Sequence, residues 1–206
     1  MADNAPLPDW ETQLEETASD LTRNDRFSTL LIGVATLLAI MLGLVLQQTS
    51  VTQTWRYISR TAGLEANYPA GWLVDETGTY VARLRSPGNR PFKTQYLITT
   101  VPAGGQTSVR NVLDSLTLQR SVSLSAYRVL SVEEVSAGGS TFTRMRFAFV
   151  DADPNPFIQR LPVVVLGMDV VIIDGNRAII LTYMADQDTY DSGLAAFERF
   201  LGSLTY

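Results

Sequence analysis

The sequence contains no cysteine and no histidine among its 206 residues. These absences exclude disulfides, thiolate nucleophiles, iron-sulfur clusters held by cysteine, histidine-ligated haem and most zinc sites. They also remove the side chain that most often serves as a general base at neutral pH, so no serine or threonine has an obvious activating partner. We therefore expect no metal, no cofactor and no catalytic residues, and a protein that is not an enzyme.

Positive charge is also scarce. Lys93 is the single lysine, and 16 basic residues face 21 acidic ones, which gives a net charge of -5. Seven of the acidic and two of the basic residues precede residue 27, so the rest of the chain carries 14 of each. A domain without net charge lacks the concentrated positive field that phosphate backbones attract, and we expect no nucleic acid partner.

One segment is uncharged for the length of a membrane span. From Phe27 to Leu46 the chain has 20 residues without a charge. As a helix rising about 1.5 Å per residue it would cover roughly 30 Å, the thickness of the hydrocarbon core. The carboxyl-terminal end of this segment, Leu44 to Gln48, lacks the small-x-small site of a cleavable signal peptide. We expect a single transmembrane helix over 27–46 that holds the chain in the lipid bilayer of the cell membrane.

The charges beside this helix predict its orientation. Arg23 and Arg26 lie within four residues of it on the amino-terminal side, whereas Arg56 and Arg60 follow it by ten or more residues. Basic residues close to a membrane helix favour the cytoplasmic side. This predicts a cytoplasmic amino terminus and a carboxyl-terminal domain on the extracytoplasmic, periplasmic side.

Small residues follow one face of the predicted membrane helix: Gly33, Ala35, Thr36, Ala39 and Gly43. Ala35, Ala39 and Gly43 recur at a spacing of four, which lets a second helix approach closely. This predicts lateral packing against a partner helix. The alternative is that these residues only reflect the general frequency of small residues in membrane helices.

The tail, residues 1–26, predicts a short amphipathic helix. Asp9 has the position of an N-cap, and Trp10, Leu14 and Leu21 recur at helical spacing beside an acidic face. Anionic lipid repels such a face, so we expect Trp10, Leu14 and Leu21 to contact a protein partner. The alternative is a solvated, frayed tail.

The rest of the chain reads as a linker, residues 47–61, followed by a domain, residues 62–206. Alternation and turn signals predict strands at 64–68, 72–74, 79–85, 94–101, 128–136, 140–150, 163–173 and 177–184, of which the first two count as one broken strand. Helical spacing predicts helices at 108–122, with Thr107 as N-cap, and at 188–204, with Leu194, Phe197, Leu201 and Leu204 buried. Hairpin signals at 137–139 and 174–176 favour an α+β fold with a mainly antiparallel sheet flanked by helices.

A calcium-like pattern in this domain fails at two positions. Asp151, Asp153 and Asn155 supply oxygen atoms at positions one, three and five of a calcium loop. Pro156 and Pro162 stand where the loop requires glycine and glutamate. We expect a surface loop there and no metal.

Three segments resemble the PsbP-type αβα sandwich: Tyr68-Pro-Ala-Gly-Trp72, the strand Ile179–Tyr183 and the closing helix Phe197–Leu204. The likeness covers about residues 62–206. PsbP is an extrinsic subunit of the oxygen-evolving complex, and relatives of this fold serve as small non-catalytic binding or assembly proteins. The first motif also has a local cause, because Pro69 and Gly71 occupy positions that a type I turn favours and Trp72 can then pack under the sheet. Without histidines, no manganese or calcium role is carried over.

These features favour a non-catalytic, single-pass accessory or assembly subunit of a multi-subunit membrane complex. By resemblance the complex belongs to electron transport or photosynthesis, for example a quinol oxidoreductase of the alternative complex III type. Its partners would be the other subunits and the bilayer. The alternative is an independent membrane-tethered module that binds a ligand or senses envelope stress, which predicts a large apolar pocket. A hydrolase is a third hypothesis, and it requires Ser, Asp and Arg side chains to converge in one cleft.

Overall fold

The computed structural model describes residues 28–43, 53–88, 90–105, 107–137, 140–152 and 161–206. The chain divides into two compact units, Met1–Thr52 and Gln53–Tyr206. In the first unit, residues 28–43 form helix α1. The predicted tail contacts Trp10, Leu14 and Leu21 lie outside the described residues.

Helix α1 exposes its apolar side chains, with Leu30 68% and Leu42 61% accessible. The predicted packing residues all lie on α1 and are exposed: Gly33, Ala35, Thr36, Ala39 and Gly43. The Thr36 hydroxyl donates to the Ile32 carbonyl oxygen at 2.8 Å, so this polar group is satisfied within the helix. In the described ranges, the structure has no helix with both the length and the apolar character to cross a membrane. The predicted span 27–46 continues beyond both ends of α1, outside the described residues.

In its described part, the second unit forms nine strands and two helices. The strands are β1 (Thr54–Ser59), β2 (Leu64–Pro69), β3 (Leu73–Asp75), β4 (Ala82–Arg85), β5 (Gln95–Pro102), β6 (Ser125–Ala137), β7 (Ser140–Asp151), β8 (Val163–Asp174) and β9 (Arg177–Asp186). The helices are α2 (Val109–Ser123), between β5 and β6, and α3 (Tyr190–Gly202), after β9.

Strands β1 and β2 pair as an antiparallel hairpin, and the other seven form one sheet in the order β3-β4-β5-β9-β8-β7-β6. Each neighbouring pair is antiparallel. Helices cover this sheet, and the predicted α+β class with a mainly antiparallel sheet is confirmed for the described residues. The runs 64–68 and 72–74, which we expected to form one broken strand, belong to different sheets: the first is β2 of the hairpin and the second becomes β3 of the large sheet.

The two helices pack on opposite faces of the large sheet. Alternate side chains of a strand point to opposite faces, so the contacts of β9 show which helix covers each face. On β9, Ala178 and Ile180 pack with Leu113 of α2. Leu181 and Tyr183 pack with Phe197 of α3. We call these the α2 face and the α3 face. The hairpin β1–β2 contributes buried residues to the cluster on the α3 face.

Helix α2 begins one residue later than predicted. The Ser108 side chain accepts a hydrogen bond from the Asn111 amide at 3.2 Å and is the N-cap. The predicted cap, Thr107, instead accepts from the Gly104 amide at 2.9 Å through its hydroxyl. The expectation for Thr107 was wrong because its hydroxyl closes the preceding turn, which leaves the first helical amides to Ser108.

Helix α3 begins at a turn that Asp186 closes. One carboxylate oxygen of Asp186 accepts from the Thr189 amide at 2.9 Å and from the Thr189 hydroxyl at 2.7 Å. Phe197 is buried as predicted, and Tyr190 and Phe200 are buried with it. The other predicted core positions, Leu194, Leu201 and Leu204, are partly buried against the same cluster.

Two tight turns depend on glycine. Gly71 has φ of 79°, and the Trp72 amide lies 3.4 Å from the Pro69 carbonyl oxygen. A positive φ at the third turn position is the type II geometry, so the expected type I turn was wrong, and glycine is what allows the difference. Trp72 does pack inward, with its ring centroid 4.6 Å from that of Tyr96. Gly175, with φ of 59°, opens the β8–β9 turn at the predicted hairpin.

Candidate interaction site

An open groove of about 800 Å³ lies between the end of hairpin β1–β2 and the segment that joins β3 to β4. Its lining includes Ile58, Arg60, Glu76, Tyr80, Val81 and Thr100. Charged and hydroxyl-bearing side chains outnumber apolar ones in this lining. This lining differs from the enclosed, mainly apolar cavity that is typical of small-molecule sites.

Tyr57 of β1 fixes one wall of the groove. Its ring is buried, and its hydroxyl donates to Glu76 Oε1 at 2.8 Å and lies 3.3 Å from the Val81 carbonyl oxygen. Burial, followed by the hydrogen bond to Glu76, raises the pKa of Tyr57 to about 12. The phenol therefore stays protonated at neutral pH and remains a donor that holds Glu76 in place.

Asp75 orders the segment between β3 and β4. Its carboxylate accepts from the Thr77 amide at 2.9 Å, from the Thr77 and Tyr80 hydroxyls at 2.6 Å each, and from Arg83 Nη2 at 2.6 Å. The hydrogen bond from the Thr77 hydroxyl, followed by those from Tyr80 and Arg83, holds the pKa of Asp75 well below its usual range. The Arg83 guanidinium also lies 4.9 Å from the centre of the Tyr80 ring. These contacts position Tyr80 at the groove.

The turn between β1 and β2 forms the opposite wall. The Ser59 hydroxyl accepts from the Ala62 amide at 3.3 Å, and Gly63 adopts φ of 60°. Arg177 donates to the Ala62 carbonyl oxygen and pairs with Asp174 at 2.7 Å. Arg177 thereby ties this turn to the β8–β9 hairpin of the large sheet.

Two large apolar side chains of β1 face solvent: Trp55 and Ile58 are 54% and 55% exposed. Ile58 lines the groove, whereas Trp55 lies three residues earlier and points to the opposite face of the regular strand. Trp55 makes an edge contact with Tyr68, with centroids 6.3 Å apart, so its ring is held while half of it stays accessible. Exposed aromatic and aliphatic groups near charged residues are typical of protein interaction surfaces. We call the groove and the exposed part of strand β1, which carries Trp55 and Ile58, the hairpin surface.

A second group of polar residues meets beneath helix α2. Arg120 forms a two-pronged ion pair with Asp169 of β8, with Nη2 2.9 Å from Oδ1 and Nη1 in contact with Oδ2. The Thr182 hydroxyl donates to Asp169 Oδ1 at 2.6 Å and accepts from Arg120 at 3.2 Å. The Arg120 guanidinium lies 4.3 Å from the centre of the Phe147 ring. Burial by itself lowers the pKa of Arg120, but the charge and hydrogen bonds of Asp169 outweigh this and raise it.

This buried cluster links helix α2 to strands β8 and β9. Asp169 and Thr182 are enclosed in the protein, and their polar atoms bond to one another and to Arg120. It is therefore not the open cleft of Ser, Asp and Arg side chains that a hydrolase requires. Within the described ranges, no three acidic residues lie close enough to hold a metal ion.

The hairpin surface was missed from the sequence. Residues 54–59, Thr-Trp-Arg-Tyr-Ile-Ser, fall in the segment interpreted as a linker, yet they form β1. In β1 Tyr57 is buried and its neighbours are exposed or half-buried, so the strand has little of the alternation of apolar and polar residues that marks a strand in a sequence. The enrichment of this segment in aromatic and β-branched residues is the pattern that could have predicted a strand here.

Comparison with known proteins identifies the fold. No family model and no curated protein matches the sequence. The solution structure of cyanobacterial PsbP from Synechocystis sp. PCC 6803 is similar, with TM-score 0.55 and 12% identity over 75% of this chain and 93% of that chain. The Ran-binding protein Mog1p of Saccharomyces cerevisiae has TM-score 0.48 and 7% identity over 74% of this chain and 95% of its own. LpqN of Mycobacterium tuberculosis, involved in cell envelope biogenesis, has TM-score 0.48 and 11% identity over 74% and 90%. At such low identity the likeness to cyanobacterial PsbP establishes a PsbP-like αβ fold, and the fold alone.

Proposed function

We propose that the chain is a non-catalytic, membrane-anchored accessory or assembly subunit whose domain binds a neighbouring protein through the hairpin surface. The observation that carries the proposal is the exposure of Trp55 and Ile58 on strand β1, together with the open groove of mixed polarity that Ile58 lines. Aromatic side chains next to charged groups suit a protein partner, because they contribute apolar contact area while the charges set orientation. The groove does not favour the ligand-binding alternative, which predicts a large apolar pocket, because Arg60, Glu76 and hydroxyl groups contribute to its lining.

The membrane anchor is part of the same proposal. Its support is the uncharged run from Phe27 to Leu46, together with the exposed apolar side chains of α1 within that run. A helix that is apolar on all sides needs apolar surroundings. Gly33, Ala35, Thr36, Ala39 and Gly43 would pack on a helix of the partner, and the tail residues Trp10, Leu14 and Leu21 would contact it on the cytoplasmic side. The domain would then lie on the extracytoplasmic side.

We extend the proposal to a complex of electron transport or photosynthesis, such as a quinol oxidoreductase of the alternative complex III type. The support for this extension is the similarity in fold to cyanobacterial PsbP. PsbP is an extrinsic subunit of a photosynthetic complex. Because one fold hosts many functions, co-purification is the experiment that identifies the partner.

Two experiments test the proposal. Washing native membranes with alkaline carbonate should leave the chain in the pellet, and its release into the supernatant would refute the anchor. Gentle solubilisation and purification by a carboxyl-terminal tag should recover the chain with other subunits in fixed stoichiometry. Recovery of this chain alone would refute the accessory role.

A matched pair of variants assigns the contact to the hairpin surface. The double substitution Trp55→Ala with Ile58→Ser should abolish co-purification of the partner. The control, Leu118→Ser with Val122→Ser, removes two apolar residues of α2 that are 70% and 90% exposed, and should not reduce it. Equal recovery of the partner with both variants would show that the hairpin surface is not the contact.

A further inference from the structure

Strand β6 is an edge of the large sheet, and in the described part of the chain β7 is its ladder partner on one side. The outer side of such a strand presents backbone N–H and C=O groups to its surroundings. Val129, Leu130 and Val132 of β6 are 39%, 53% and 56% exposed. Free backbone groups beside exposed apolar side chains favour the addition of another strand.

A bulge decides which β6 side chains share the α2 face. The register of β6 against β7 shifts between Val129 and Ser131. Val129 lies opposite Phe147, which contacts Arg120 of α2, and Val132 lies opposite Met145, which packs in the α2 cluster. Val129 and Val132 therefore lie on the same face although they are three residues apart.

The same bulge brings two opposite charges to the other face. Arg128 lies opposite Ala148, and Glu133 lies opposite Arg144. Ala148 and Arg144 alternate with the β7 residues that point to the α2 face, so they belong to the α3 face. Arg128 and Glu133 thus share the α3 face, and both are exposed.

We propose that β6 pairs antiparallel with β6 of a second copy of this chain, about a two-fold axis between Leu130 and Ser131. In this register Arg128 lies opposite the Glu133 of the copy, and Val129 lies opposite the Val132 of the copy. Because of the two-fold symmetry, each of these pairs occurs twice in the dimer. The two residues of each pair lie on the same face of the sheet. Cross-strand pairs of opposite charge or of apolar groups stabilise a sheet.

Neighbouring registers lose this complementarity. A shift by two residues in one direction places Val129 opposite Glu134 and Arg128 opposite Val135. The same shift in the other direction places Arg128 opposite Ser131 and leaves Glu133 without a cation across the strand. A second copy also carries the same bulge at the matching position, which a regular strand of another protein does not. The pattern therefore favours self-pairing over addition of an unrelated strand.

Charge reversal gives a test that only self-pairing satisfies. The full chain in mild detergent should be dimeric by light scattering and by sedimentation across a dilution series. Arg128→Glu places Glu opposite Glu133, and Glu133→Arg places Arg opposite Arg128, so each variant alone should dimerise about tenfold more weakly. An equimolar mixture of the two variants should form a heterodimer, because both cross-strand pairs are then attractive. Arg110→Glu, at an exposed position on α2, is the matched charge control and should dimerise like the wild type.

A cross-link serves as an independent readout if Glu133→Arg fails to fold beside Arg144. Because the natural chain has no cysteine, Val129→Cys and Val132→Cys introduce single thiols. Under mild oxidation the mixture of the two variants should form a disulfide-linked dimer far more efficiently than either variant alone, since the two positions are opposite each other across the strands.

Three results would overturn the proposal. A wild-type chain that is monomeric throughout the dilution series has no self-pairing edge. A dimer that survives Arg128→Glu unchanged is formed by another surface, for example α1. A cross-link from Val132→Cys to a different polypeptide in native membranes would assign the edge to another subunit. The last result would leave the accessory role intact, so failure of this inference is distinguishable from failure of the proposed function.

Discussion

Replacement of Asp169 by alanine tests the buried ion pair beneath helix α2. The Asp169 side chain has no exposure and the Arg120 side chain only 13%, so the variant leaves a guanidinium buried without its counterion. Thr182 also loses the acceptor of its hydroxyl. Loss of one partner from a buried pair costs about 3–5 kcal/mol, a large part of the roughly 5–15 kcal/mol that holds a typical domain together. For a domain of this size the melting temperature should fall by roughly 10 °C.

The measurement is urea and thermal unfolding of the full chain in mild detergent, followed by tryptophan fluorescence. Asp114→Ala removes an exposed acid from the same helix and should change the unfolding free energy by less than about 0.5 kcal/mol. The double variant Arg120→Met with Asp169→Leu removes both charges and should recover most of the lost stability. A loss below about 1 kcal/mol for Asp169→Ala, or a double variant as unstable as the single one, would refute the reasoning.

Three further predictions concern single contacts. The pKa of Asp75 is lowered in the folded protein, so the stabilisation by its carboxylate is present above the unfolded pKa of about 3.9 and is lost as pH falls through the folded pKa. Asp75→Asn should therefore lower the melting temperature at pH 7, and the difference from the wild type should shrink on acidification. A difference that grows on acidification would contradict this reasoning. In Gly167→Ala the new methyl carbon would lie 2.1 Å from Cζ of the buried Phe147 ring, so we expect a loss of about 1–3 kcal/mol in urea unfolding, and an unchanged midpoint would show that the ring moves aside. The Tyr183 hydroxyl donates to the Tyr190 carbonyl oxygen at 2.8 Å inside the core, so Tyr183→Phe should cost about 1–3 kcal/mol by thermal unfolding, and a neutral result would mean that this carbonyl oxygen finds another donor.

Local pattern was a good guide to the strands and helices of the domain. The expected strand 163–173 is β8, Val163–Asp174, and the expected strand 177–184 is the start of β9, Arg177–Asp186. A helix was expected at 108–122 and α2 occupies Val109–Ser123. These elements were predictable because alternation, helical spacing and turn residues act over a few positions.

The candidate interaction site was less predictable. Strand β1 has one buried residue, so its sequence lacks the alternation of apolar and polar residues that predicts a strand. The exposed Trp55 and Ile58 were therefore interpreted as part of the linker. The groove depends on Tyr57 reaching Glu76, which lies 19 positions further along the chain. No local pattern predicts such a contact.

The sequence by itself determined that cysteine and histidine chemistry is excluded, that the net negative charge lies before residue 27, and that an uncharged run precedes a domain of many strands and two helices. The tertiary structure alone decided that Arg120 meets Asp169 across 49 positions, that β1 and β2 form a separate hairpin, and that a bulge places Arg128 and Glu133 on one face of β6. The reason is physical. Composition and periodicity are properties of neighbouring residues, whereas pairing between distant residues depends on the path of the chain through the sheet and on where its register shifts.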